Sequence, residues 1–147
     1  MLCLLFSAGI TIAQPQKKLP SKQAVPELTK MLTGTGLPFK MLNDSVAVIP
    51  YGGENIATYE VVVQKVSALY IIYTNLSEAI PGKLNETHYK YLLQRNDHFD
   101  IIKIGLAVDG TFYLRADLYK AIATTPILKR IISQVANVAN IIGGEVK

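Results

Sequence analysis

The sequence predicts an α+β domain, an antiparallel sheet of about five strands with helices packed on it, in the order α-β-β-β-α-β-β-α. Three observations carry that expectation. Tyr59-Glu60-Val61-Val62-Val63-Gln64 and Leu69-Tyr70-Ile71-Ile72-Tyr73 are the densest β-branched and aromatic runs in the chain and lie close enough to pair as a hairpin. Apolar residues alternate on both sides of Asp109-Gly110, as a second hairpin requires. The last apolar stretch has helical spacing instead, with a cap and a proline in its first turn.

Taken in order, Val25, Leu28, Met31 and Leu32 share a helical face, so a first helix is expected over about 25–33, with Pro26 tolerated in its first turn and Gly34 and Gly36 ending it. Phe39-Lys40-Met41-Leu42 is extended, Asn43-Asp44-Ser45 turns the chain, and Val46-Ala47-Val48-Ile49 continues it before Pro50 and Gly52-Gly53. Counted as two strands, this unit gives α-β-β-β-β-α-β-β-α; counted as one bent strand, it gives the shorter order. After the middle hairpin and Pro81-Gly82, Asn85 can cap a helix carrying Tyr89, Leu92, Leu93 and Asn96. In the second hairpin a two-residue turn at Asp109-Gly110 would split the apolar sets onto opposite faces. A three-residue loop, Val108-Asp109-Gly110 with Gly110 left-handed, instead pairs Leu106 with Phe112 and Ile104 with Leu114 on one buried face. The final helix should start at Thr124 or Thr125, carry Pro126 in its first turn, and span about 125–142 before Gly143-Gly144.

A chain of 147 residues, half of them hydrophobic, suits one domain with one core. The net charge of +4 does not mark a nucleic-acid binder. Lys17, Lys18, Lys22, Lys30 and Lys40 face only Glu27 across residues 14–40, which accounts for the whole excess, and residues 41–147 balance to zero. Residues 2–13 form an uncharged apolar run that stops at Gln14-Pro15-Gln16-Lys17-Lys18, too short to span a bilayer and ending on the small residue Ala13. Residues 1–13 are therefore expected to be a signal peptide, residues 14–21 a linker, and residues 22–147 a single domain that is exported, periplasmic or secreted. No Lys or Arg precedes the run, although a signal peptide usually has one there. Cys3, the only cysteine, falls in that leader, so the mature domain would have no disulfide, thiol catalysis or cysteine metal site.

Leu92-Leu93-Gln94-Arg95-Asn96-Asp97, Ile104-Gly105-Leu106 and Asp109-Gly110-Thr111-Phe112-Tyr113-Leu114-Arg115-Ala116, with the long last helix, resemble the YbjN family and the CesT-like type III secretion chaperones over roughly residues 22–142. The shared motifs are structural. The resemblance implies the α+β chaperone-like fold and, since related secretion chaperones dimerise, a homodimer. A leader is unusual among cytosolic secretion chaperones, and the strong acidity of many of them is missing here.

No catalytic residue, cofactor or metal is expected. His88 and His98 stand ten residues apart with no cluster of ligands around them, and Asp97 and Asp100 are the nearest carboxylates. Ser45, Ser67, Ser77 and Ser133 lack a Gly-x-Ser-x-Gly setting, and Gly34-Thr35-Gly36 and Tyr51-Gly52-Gly53-Glu54 do not continue into a phosphate loop. Nothing in the spacing of Asp97, Asp100, Asp109 and Asp117 brings two carboxylates together. Asn75-Leu76-Ser77 and Asn85-Glu86-Thr87 match the N-glycosylation triplet, which occurs often by chance.

The middle hairpin carries the functional expectation. If Tyr59, Val61, Val63, Leu69, Ile71 and Tyr73 face the helices, then Val62, Tyr70 and Ile72 point the other way, and an apolar second face implies that something covers it. Val62, Tyr70 and Ile72, joined by Tyr113, are thus the candidate contact surface for a second copy or a client segment. The function expected is a non-enzymatic protein-binding or chaperone-like module acting through a sheet face. A small-ligand or lipid carrier with a pocket between sheet and helices is the alternative; a closed apolar cavity would favour it, and a flat or grooved apolar sheet face would favour protein binding.

Overall fold

The computed structural model describes residues 25–77, 80 and 84–146, so the expected signal peptide and linker lie outside the described residues. Among these residues the fold is α+β with three α-helices and a six-stranded antiparallel sheet: α1 (Glu27–Thr35), β1 (Lys40–Asn43), β2 (Val46–Tyr51), β3 (Tyr59–Val66), β4 (Leu69–Asn75), α2 (Glu86–Arg95), β5 (Lys103–Leu106), β6 (Phe112–Tyr119) and α3 (Thr125–Glu145). The strands lie in the order β1-β2-β3-β4-β6-β5. The first extended unit is two strands, so the longer element order holds and the sheet has six strands, not about five. Pro50 fits inside β2 because it lies past the end of β1, where a missing N–H faces no neighbouring strand.

Helix ends follow local chemistry. Asn85 Oδ1 accepts from His88 N at 3.0 Å while His88 Nδ1 accepts from Asn85 N at 3.2 Å, a capping box that gives His88 a structural task. Thr124 Oγ1 accepts from Ile127 N at the start of α3. Gly36 closes α1 at φ 71°. Helix α3 runs on through Gly143-Gly144, which the sequence marks as its end. Side chains there would collide with Ile56 and Asn55, so the two glycines admit the β2–β3 loop against the helix instead of stopping it. Asn140 Oδ1 holds the same loop, accepting from Asn55 N at 2.9 Å and Ile56 N at 3.3 Å.

Both hairpin registers are set by turn length. The β5–β6 hairpin pairs Ile104 with Leu114 and Leu106 with Phe112, and Gly110 at φ 84° closes the loop as its three-residue length requires. Leu106 is nevertheless half exposed, because β5 is an edge strand. In the β3–β4 hairpin Val66 pairs with Leu69 across the two residues Ser67-Ala68, with Ser67 in the left-handed region. Two intervening residues place an odd-numbered residue opposite an even-numbered one, so Val63 pairs with Ile72. Tyr70 and Ile72 therefore share the face of Val61 and Val63, and Leu69, Ile71 and Tyr73 point away from it. This overturns the expectation for Tyr70 and Ile72, which are 1% and 0% exposed and belong to the core.

Helices α1 and α3 cover the inner face. Leu28 and Leu32 of α1, with Leu128, Ile132, Val135 and Ala139 of α3, pack with Ala47, Ile49, Val61, Val63, Tyr70, Ile72, Leu114 and Leu118 into one cluster. Each large aliphatic side chain removed from water there stabilises the fold by roughly 1.5–3 kcal/mol. The sheet's other face has no helix among the described residues.

Candidate protein-binding face

Side chains on that open face fall into four rows, because strand residues alternate and paired strands keep matching residues abreast. One row runs Lys40, Val48, Val62, Tyr73, Arg115 and Lys103 from edge to edge. Next to it, Val46, Gln64, Ile71 and Asp117 form a second. Outside these lie a row with Pro50, Glu60, Asn75 and Tyr113 and another with Val66, Leu69 and Tyr119. Val62, Ile71, Tyr73 and Tyr113 are half-buried, and Tyr119 and Val66 are exposed. The face is thus apolar and aromatic along its middle strands, with Lys40 and Lys103 at its edges.

Two local devices shape it. The Tyr113 ring lies across the bare backbone of Gly105 on the neighbouring strand, where any Cβ would collide with it. Arg115 reaches along its own strand to Asp117, with Nε and a terminal nitrogen donating to the two carboxylate oxygens at 2.8 and 3.1 Å. That hydrogen bonding holds the Arg115 guanidinium above even its usual high pKa. Both side chains stay about two-fifths exposed, so the pair is within reach of a partner. An open depression of about 510 Å³ lies at one end of the face, between Pro50, Glu60, Val62, Tyr73 and Asn75.

Of the four contact residues expected from the sequence, the structure puts Val62 and Tyr113 on the open face and moves Tyr70 and Ile72 inside. Tyr70 has a different task. Its hydroxyl donates to Glu27 Oε1 at 2.7 Å, and Glu27 Oε2 meets Lys120 at 3.3 Å and Lys65 at 3.5 Å, which fastens the start of α1 to the sheet. Burial, and then the Glu27 carboxylate, push the Tyr70 phenol well up, while the Tyr70 hydrogen bond first and Lys120 and Lys65 after it hold Glu27 below its ordinary value. The face residues that sequence reasoning missed are Ile71 and Tyr73, hidden by the register of one turn, and Arg115 and Asp117, whose signal was their alternation with Leu114 and Ala116.

Other chemistry is sparse. Among the described residues no group of three or more His, Cys, Asp or Glu side chains could hold a metal, and no helix is long and apolar enough to cross a membrane. The wholly apolar pocket between α2 and the β5–β6 hairpin, lined by Tyr89, Leu92, Leu93, Leu106 and Phe112, holds about 40 Å³, little more than one water's share of ~30 Å³.

No protein-family model matches the chain, and no curated protein matches it. Solved structures do. A chain of the heterodimeric ExoU–SpcU complex from the type III secretion system of Pseudomonas aeruginosa superimposes with a TM-score of 0.57 over 80% of this chain and 96% of that one, at 17% identity. YbjN from E. coli superimposes with a TM-score of 0.53 over 83% of this chain and 89% of that one, at 9% identity. The chain has a YbjN-like fold. The structural likeness agrees with the resemblance carried by the Asp109-Gly110 hairpin and its flanking helices, and at these identities it speaks for the fold alone.

Proposed function

We propose that this protein is a non-enzymatic, chaperone-like module that binds protein through the open face of its sheet, and that it works outside the cytoplasm after removal of its leader. One observation carries the proposal: the core on the helix side is complete, yet the opposite face still presents Val62, Ile71, Tyr73 and Tyr113. An antiparallel sheet with a solvated face ordinarily turns polar residues to water, and tyrosine serves well where one end packs and the other meets a partner. The fold it shares with a chain of the ExoU–SpcU heterodimer supports the same reading. Export rests on the apolar run 2–13 and its abrupt end at Gln14.

The test is recovery from the native host of the tagged protein and of a Val62→Lys/Tyr73→Lys variant shown by circular dichroism to be folded. The parent should bring down a defined protein, its own untagged copies included, and the variant should not. Equal recovery by both forms, or recovery of a lipid and no protein, would overturn the proposal.

A further inference from the structure

Exposed apolar side chains collect at one end of the molecule. Val66 is abreast of Leu69, and Leu69 of Tyr119, where β3, β4 and β6 meet the turn at Ser67-Ala68. Lys120 N donates to Ala68 O at 2.8 Å and Lys120 Nζ to Ser67 O at 3.2 Å, which brings the 3₁₀ turn Lys120–Ile122 against that hairpin turn. The start of α1 reaches the same place, because Glu27 meets both Lys120 and Lys65. Tyr119 and Ile122 are 63% and 62% exposed there, and Val25 and Val66 are exposed with them.

The surplus charge at this end comes from the chain leading into α1. Lys65 and Lys120 are offset by Glu27 and by Asp44 in the adjoining β1–β2 turn. Lys17, Lys18 and Lys22 precede Val25 with no acidic residue among them, and Lys30 is exposed one turn into α1. Covalent geometry alone keeps Lys22 within about 11 Å of Val25 and Lys17 within about 29 Å. An extended negative surface meets these lysines wherever they fall inside that radius, which favours a bilayer over a compact acidic protein. Aliphatic Val25, Val66 and Ile122 find nothing to bury in against a sugar-phosphate backbone. They suit the boundary between headgroups and acyl chains, where tyrosine also settles.

We infer that this end docks on an anionic lipid surface, with Val25, Val66, Tyr119 and Ile122 entering the headgroup region and the lysines ahead of Val25 meeting the negative headgroups. The strands then stand on the surface. Tyr113, six residues back along β6 from Tyr119 and so about 20 Å away, stays clear of the lipid, as does Val62. The lipid contact and the open protein-binding face are therefore separate.

The chain has no tryptophan, so Tyr119→Trp supplies a single reporter at the contact. The variant, in the form isolated from its host and checked for fold by circular dichroism, is titrated with vesicles of phosphatidylglycerol and phosphatidylcholine in equal parts, and with phosphatidylcholine alone. Its emission should move to the blue on the anionic vesicles only, and binding should weaken as salt rises. Replacing Lys17, Lys18 and Lys22 by Gln in the same background should weaken it about 100-fold, since each lysine near such a surface contributes about fivefold. Ile122→Ser should weaken it about tenfold with the charge unchanged. If Tyr119→Trp fails to fold, Ile122→Trp carries the reporter instead. No binding to the anionic vesicles, an equal shift on both kinds, or binding without a blue shift overturns the inference. All of these variants keep Val62 and Tyr73, so such a failure leaves the proposed function standing.

Discussion

Ile71 and Ile72 are neighbours on β4 with the same side chain, and the hairpin register gives them opposite fates. Ile72 is 0% exposed, paired with Val63 and Ala116 and covered by the helices, whereas Ile71 is half-buried on the open face beside Gln64 and Asp117. Ile72→Ala deletes three buried carbons and leaves a cavity that a rigid sheet closes poorly, so the cost should be near 3 kcal/mol within the usual range of about 2–5. Ile71→Ala removes atoms already partly in water and opens no cavity, and should cost less than about 1 kcal/mol. Urea unfolding followed by circular dichroism reads the difference directly, as a drop in midpoint at unchanged slope. Dilute protein is used so that self-association does not add to the stability of either form. Equal costs for the two, or a larger cost for Ile71→Ala, would show that the strand presents its other face to the helices and would refute the register argument.

Three further outcomes follow from particular contacts. Tyr70→Phe removes the main hydrogen bond that depresses the Glu27 pKa; that bond stabilises the fold above the ordinary carboxylate value of 4.5 and is lost as pH falls through the lower folded value, so the stability gap between parent and variant should narrow in acid urea melts. Asn140→Ala leaves the Asn55 and Ile56 N–H groups without their acceptor and should destabilise by about 1–3 kcal/mol, with faster amide exchange confined to the β2–β3 loop. Gly105→Ala drives a methyl into the Tyr113 ring and should alter the environment of that tyrosine in its NMR spectrum; an unchanged Tyr113 signal would contradict the packing described.

Much of the fold was legible because its signals are local. Gly110 at a position needing positive φ, the apolar alternation around it, the Asn85 cap and the Thr124-Pro126 start of α3 act over a few residues, and each appears where the sequence puts it. What escaped was long-range or depended on a count of one. Whether β4 shows Ile71 or Ile72 to the helices turns on whether two or three residues bridge the hairpin, and Ser67 adopts the left-handed turn without a glycine or Asn-Gly to announce it. Gly143-Gly144 reads as a helix stop locally, and only contact with residues 55 and 56, distant in sequence, makes the same glycines an asset within the helix. The expected contact set inherits the first of these errors. Val62 and Tyr113 lie on the open face, and the neighbours of Val62 there are Tyr73 and Ile71 in place of Tyr70 and Ile72.

The central claim is that protein contacts fall on the open sheet face, and side-chain oxidation footprinting of the protein in the form isolated from its host tests it most directly. Tyr73 and Tyr113 should be protected severalfold relative to the same protein diluted to its separated chain, while Tyr91, exposed on α2, should be oxidised equally in both. Protection of Tyr91 with Tyr73 and Tyr113 unchanged would contradict the account and place the interface on the helices.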